Sequence, residues 1–207
     1  MENLLYEYGD FPEKDQILPS FNLVKTPTYV NYKGAGKIII SGQTIDLLKL
    51  SSDIAISSKM LSDIERIEVL GSKVITIENL TSFHRFNEED FFVIYLGGFH
   101  NTVRREFIKK LYEQNPQKQY YHFGDIDVGG FRILEHLKSK TKVPFMGYYM
   151  DIDTLVRYKE FSKKLTQNDR INLERLLIHD EYESVIDYML ENNCKLEQEA
   201  VGSMTIF

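Results

Sequence analysis

Between residues 73 and 151 the chain alternates short, almost uninterrupted apolar runs with amphipathic stretches, and that rhythm most limits what it can fold into. "KVITIENL" and "FFVIYLGG" read as strands buried on both faces, "QYYHFGDID" as a third and "VPFMGYYMD" as a fourth. Between them, "NTVRREFIKKLYEQN" places Val103, Phe107 and Leu111 on one helical face, and "GGFRILEHLKSK" turns Phe131, Leu134 and Leu137 inward. Strands alternating with helices predict an α/β fold: a mostly parallel sheet of βαβ units flanked by helices.

The flanks are less regular. Residues 1–28, with Pro12, Pro19 and Pro27, read as a lead-in or linker. Residues 29–70 form an extension. Its Gly34-Ala35-Gly36 punctuation and the run Ile38–Ile40 suggest a β-hairpin, and "KMLSDIERI" suggests a short helix capped by Ser58. Residues 71–207 hold the sheet and a helical C-terminal portion: "DTLVRYKEFSKKL", "QNDRINLERLL" and "EYESVIDYML", the last with Tyr182, Val185, Ile186 and Met189 at helical spacing.

In an open parallel sheet, ligands collect at the carboxyl ends of the strands. Acidic residues stand at three such ends: Glu78, the pair Asp125 and Asp127, and the pair Asp151 and Asp153. Side chains two apart in extended backbone share a face, so Asp125 and Asp127 can both reach one cation, which offsets their repulsion. With Glu78 on a neighbouring strand they would make an all-oxygen site suited to Mg²⁺ or Mn²⁺. Gly129 and Gly130 open the following helix, where backbone N–H groups favour a phosphate. Cation and anion sites together point to phosphodiester or phosphoryl chemistry.

Other readings compete. An Asp-x-Asp at a strand end can simply cap a helix and fill a turn, the role assigned to Asp151 and Asp153 before a helix near Thr154. Taking Asp125 as the first position of an EF-hand loop puts Gly129 and His136 where oxygen ligands belong. A haloacid-dehalogenase-type phosphatase carries its Asp-x-Asp on the first strand and continues into threonine, unlike "DIDVGG". One cysteine, Cys194, excludes an internal disulfide framework and a cysteine-rich zinc site. A net charge of −6 argues against a dedicated nucleic-acid binder, though not against an enzyme touching DNA locally. The N-terminus shows no signal-peptide pattern, and no run approaches the ~18 apolar residues of a membrane span, so a cytoplasmic protein without membrane contact is expected.

The order strand–Glu, strand–Gly-Gly, helix, strand–Asp-x-Asp-x-x-Gly resembles the toprim domain of topoisomerases, primases and some nucleases. "TIENLTSFHRF", "YLGGFHNTVRREFIKKL", "YHFGDIDVGGFRILEHLK" and "KLEQEAV" resemble one branch, the C-terminal toprim region of the JetD family. These are nuclease subunits of bacterial Wadjet anti-plasmid systems, related to the A subunit of topoisomerase VI. The similarity runs from about Tyr29 to Val201.

It implies a Rossmann-like toprim fold and a Mg²⁺-dependent endodeoxyribonuclease acting on double-stranded DNA beside condensin-like SMC subunits, as a homodimer. It makes Glu78 a metal ligand or general acid/base, Asp125 and Asp127 metal ligands, and Glu199 a late acidic ligand. Val128 stands where this branch often has proline. JetD relatives also carry a substantial N-terminal DNA-binding region, where about thirty residues precede the likeness here. Dependence on partners, or a module serving dimerisation and docking, is the alternative reading; a small-molecule phosphatase is another. Arg104, Arg105 and Lys109 are candidate DNA-backbone contacts. His84 and Arg85 are candidates for positioning a phosphate or for a plain surface turn. Lys163 and Lys164 read as solvated, and Tyr120, Tyr121, Tyr148 and Tyr149 as core or strand-edge residues.

Overall fold

The computed structural model describes residues 6–9, 17–21, 27–98, 100–176 and 180–201. Most of the 1–28 lead-in therefore lies outside the described residues, as does Phe99 of the "GGF" loop.

Six strands, β1 (Tyr29–Gly34), β4 (Ile54–Ser57), β6 (Lys73–Ile77), β7 (Phe91–Tyr95), β8 (Gln119–Phe123) and β9 (Met146–Gly147), form one sheet. Their order across it is β4-β1-β7-β6-β8-β9. β7, β6, β8 and β9 run parallel, while β1 and β4 add an antiparallel margin. The parallel strands read as unbroken apolar runs because both faces are covered. Val74, Phe92 and Ile94 face the larger core with helices α2 (Thr102–Gln114) and α3 (Val128–Thr141). Ile75, Ile77, Phe91 and Val93 face a smaller one with Phe83 of helix α1 (Leu80–Arg85).

A second, three-stranded antiparallel sheet joins β3 (Gln43–Asp46), β2 (Gly36–Ile40) and β5 (Ile64–Val69). Its hairpin turns not at residues 34–36 but at Ser41-Gly42, whose φ values of 48° and 75° suit a two-residue primed turn. Gly34 is where the chain leaves one sheet for the other. Its φ is +93°, and a Cβ there would lie 2.2 Å from the Phe91 carbonyl oxygen. The helix expected over "KMLSDIERI" is instead a 3₁₀ segment, Ser58–Asp63, capped by Ser57, followed by β5. The cause is a bulge: Ile38 faces Ile67 and Ile39 faces Arg66, but Ile40 faces Ile64, so Glu65 is skipped. One extra residue turns the period of two into a spacing of three, which imitates a helix.

C-terminal to the sheet, α4 (Ile152–Arg157) is shorter than its sequence suggests. A 3₁₀ turn follows, and Lys163 then forms an antiparallel bridge with Lys195, so this stretch is extended where a helix was expected. Helices α5 (Gln167–Leu176) and α6 (Glu183–Asn192) pack on each other. The fourth strand shrinks to two residues, ended by Tyr149 at φ 55°. Among the described residues, no helix is long and apolar enough to cross a membrane.

Candidate functional site

Parallel pairing of β6 with β8 sets Ile77 opposite Phe123, so Glu78 and the Gly124-Asp125 turn leave adjacent strand ends together. The Glu78 N–H donates to the Phe123 carbonyl at 3.0 Å. Burial lifts the Glu78 carboxyl to about 7, helped by the charges of Asp125 and Asp127, while the Asp125 backbone N–H partly opposes the rise. Its Oε2 is buried and lacks a hydrogen-bond partner. Burial also lifts Asp125, to about 6, although the Gln198 N–H donates to its Oδ1 at 2.7 Å.

Asp127 has a second task. Its Oδ1 accepts from the Gly130 N–H at 2.8 Å and caps α3. The expected phosphate cradle at Gly129 and Gly130 thus meets a competitor, because the Gly130 N–H is already engaged. A Cβ at Gly130 would also lie 2.1 Å from the Asp125 carbonyl oxygen, so this glycine lets α3 press against the Asp125 turn.

The rim is completed by a segment remote in sequence. Leu196 bridges to Ile126 in antiparallel fashion, which seats residues 197–199 over the β8 turn. Ligand atoms of Asp125, Glu197 and Glu199 lie within 4.8 Å of one another. Glu199 accepts a short hydrogen bond from the Asn79 side chain, next to Glu78. Gln198, nearly fully buried, ties the strand ends together: its Nε2 donates to the Phe123 carbonyl at 3.0 Å, and its Oε1 accepts from the Asn79 N–H at 2.8 Å.

The structure thus brings Glu78, Asp125, Asp127 and Glu199 to one rim, and adds Glu197 and Gln198, which sequence reasoning missed. The signal was present in "KLEQEAV", where Glu197 and Glu199 repeat the i, i+2 spacing of Asp125 and Asp127. Lys163 is exposed, as expected, and its Nζ pairs with Glu197 at 2.8 Å, a partner that raises its pKa.

Two further buried groups stand behind the rim. His122 is fully buried, its Nδ1 lies 2.9 Å from Thr76 Oγ1, and its Nε2 has no partner. Burial pushes it down to about 3, so it is neutral. A Cβ at Gly124 would lie 2.8 Å from His122 Nε2 and 2.9 Å from Glu78 Oε2, so only glycine fits between the two orphaned atoms. His100, buried beside His136 with its Nε2 3.2 Å from His136 Nδ1, is pushed down to about 4.

The basic candidates separate. Arg104 lies over the Tyr95 ring at 5.4 Å, with its Nε buried and unpartnered, and its NH1 would be 3.2 Å from a Cβ at Gly97. A Cβ on adjacent Gly98 would be 3.9 Å from Glu78 Oε1, so this loop joins Arg104 to the acidic rim. Arg105 folds back on the His100 carbonyl and Thr102, and Lys109 pairs with Glu106 on an exposed helix face. His84 faces Asp53 at 3.6 Å, whereas Arg85 lines a cavity beside Glu199.

Five carboxylates, Glu78, Asp125 and Asp127 from the strand-end turns and Glu197 and Glu199 from the late segment, two with raised pKa values and one with an orphaned oxygen, suit a hard divalent cation. Asp125, Glu197 and Glu199, whose ligand atoms converge, would hold it, with Glu78 and Asp127 adjoining.

Known proteins resemble this chain in sequence. A family model described as "Wadjet protein JetD, C-terminal" matches residues 36–206. A curated relative from Bacillus cereus (strain Q1), "Wadjet protein JetD", is 25% identical over 203 residues, covering 94% of this chain and 50% of the relative. The chain therefore spans about half the length of that relative.

Proposed function

Because this chain belongs to the JetD C-terminal family of Wadjet proteins, we propose that it is the catalytic region of a toprim-type nuclease that hydrolyses phosphodiester bonds of double-stranded DNA with Mg²⁺ or Mn²⁺. The observation that carries this reading is Glu78: a half-buried carboxyl lifted to about 7, its Oε2 unpartnered, set beside Asp125 at neighbouring strand ends. A divalent cation there would polarise the phosphorus centre and lower the pKa of an attacking water.

The chain supplies the rest. Asp125, Glu197 and Glu199 would hold the cation, and Gln198 holds both strand ends in register through its three hydrogen bonds. Glu78 can take a proton at Oε2, and a carboxyl with a pKa near 7 suits proton transfer at neutral pH. Arg104, with its guanidinium beside the Gly97-Gly98 loop, faces a backbone phosphate. The cytoplasmic protein works as a homodimer with condensin-like Wadjet subunits that deliver plasmid DNA.

Supercoiled plasmid incubated with Mg²⁺ or Mn²⁺, with the chain alone and with the other Wadjet subunits, tests the reading. Cleavage by wild type and its loss in Asp125→Asn and in chelator are expected. Cleavage that survives both changes would remove the nuclease site from this rim.

A further inference from the structure

Beside the acidic rim lies a cavity of about 560 Å³, a size typical of small-ligand clefts. Phe86, Phe123, Tyr149 and Tyr158 wall it, and Glu199 lines it while also belonging to the acidic cluster. We propose that this cavity receives one unstacked nucleobase of a DNA strand whose backbone crosses Asp125 and Glu199, with Tyr149 as the stacking platform. The proposal rests on the phosphodiester reading of the neighbouring site and adds how the strand is gripped.

Tyr149 is the first support. It sits at φ 55°, in the left-handed region that a bulky side chain rarely adopts, and such outliers gather at ligand sites. The strained turn leaves the residue 41% exposed. Its aromatic neighbours meet it at an angle: Tyr148 at 4.5 Å and 60°, Phe123 at 6.1 Å and 71°. Neither neighbour stacks on the ring face, and a flat base would.

Charge then selects the occupant. Glu88 borders the cavity away from the cation site and repels a phosphate, but its carboxylate accepts N–H groups from the edge of a neutral base. Arg85, exposed on the same lining, suits the phosphate of the adjoining nucleotide. Place matters as well. Phe123 is the last residue of β8, immediately before the turn to Asp125, so base and scissile phosphate would lie about one nucleotide apart along the strand.

Oligonucleotides carrying 2-aminopurine at successive positions, bound in Ca²⁺, test this by fluorescence. Wild type should quench the probe at one position only. Tyr149→Ala should abolish that quenching and bind about 10-fold more weakly, the scale of one base–aromatic stack, while Tyr149→Phe keeps both. Tyr149→Gly, which relieves the left-handed turn, should lose quenching although it folds at least as well as wild type, separating stacking from folding.

Quenching that survives in Tyr149→Ala and Tyr149→Gly overturns the pocket and leaves the metal-site reading standing. Tyr149-dependent quenching that persists in Asp125→Asn without any cation dependence keeps the pocket and removes the metal-site reading. Absence of quenching at every position, with self-association altered by Tyr149→Ala, overturns the pocket in favour of contact with a second copy.

Discussion

The chain contains Asp-x-Asp twice after a strand, at Asp125/Asp127 and at Asp151/Asp153, and the two copies behave alike locally and differ in every other respect. Each uses one aspartate as a helix cap: Asp127 accepts from Gly130 and Asp151 from Thr154, both at 2.8 Å. In the first copy the capping residue comes second, so Asp125 is left at the strand end facing Glu78 and the 197–199 segment. In the second copy it comes first, and Asp153 falls in the first turn of α4, exposed. The neighbourhood differs too: β8 is flanked by β6, with Glu78 at its end, whereas β9 is a two-residue edge strand. A motif fixes a cap; convergence of separate strand ends makes a site.

The largest expected effect breaks the symmetry between the copies outright. Asp125→Asn should weaken Mn²⁺ binding more than about 100-fold, beyond the range seen for groups that only orient ligands. Asp153→Asn should leave it unchanged. Calorimetric titration of both variants decides the matter. Equal affinities in the two would mean that the first copy is a cap and nothing more.

Gln198 probes the convergence instead of the ligands. Gln198→Ala removes bonds to the Phe123 carbonyl, which keeps the Glu78 N–H, and to the Asn79 N–H, which is left unpaired at about 1–3 kcal/mol. Cation affinity should fall roughly 10-fold, as for other outer groups that hold ligands in place. The second copy has no comparable staple among the described residues. A variant with lowered thermal stability and undiminished affinity would show that Gln198 serves the fold alone.

These contrasts explain what was legible in the sequence. The parallel strands were readable because burial on both faces writes a continuous apolar run, and the α2 and α3 faces because their spacing is helical. Glu78, Asp125 and Asp127 could be placed together because strand ends of a parallel sheet share one edge. The bulge at Glu65 hid β5, since it replaced alternation with a spacing that mimics a helix. Glu197 and Gln198 were hidden for another reason. Their placement depends on isolated bridges, Ile126 to Leu196 and Lys163 to Lys195, which leave no periodic trace.

A smaller effect concerns pH. A carboxyl whose folded pKa exceeds its unfolded value gives stability that is present below the unfolded value and lost as pH rises through the folded one. For Glu78 that loss spans about 4.5 to about 7. Buried His100 and His122 act in the opposite sense, gaining stability as pH rises from their lowered values towards about 6.5, so the whole profile is a sum of opposed slopes. The clean comparison is Glu78→Gln against wild type without metal. The two should melt together at pH 4, below the unfolded value, and the variant should melt a few degrees higher at pH 8. Adding Mg²⁺ at pH 8 should reverse the order, because only wild type then gains a ligand for its buried charge. Parallel melting curves across this range would show that Glu78 is not held out of water by the fold.

The smallest effect returns to what the two motifs share. Asp127→Ala and Asp151→Ala each remove a side-chain cap from a helix N-terminus, and each should cost about 1 kcal/mol. In a chain of this size that is a fall in Tm of roughly 2–4 °C, measurable by calorimetry in metal-free buffer. The caps have the same geometry, so the metal-free falls should be similar, with Asp127→Ala falling less because its loss also relieves repulsion on Glu78 and Asp125. Repeating the scan in Mn²⁺ should separate them. Asp151→Ala keeps the full upward shift on binding, whereas Asp127→Ala loses part of it, because Asp127 adjoins the cation site while capping α3. Identical shifts in the two variants would confine Asp127 to its helix, and Glu78, Asp125, Glu197 and Glu199 would then have to bind the ion without it.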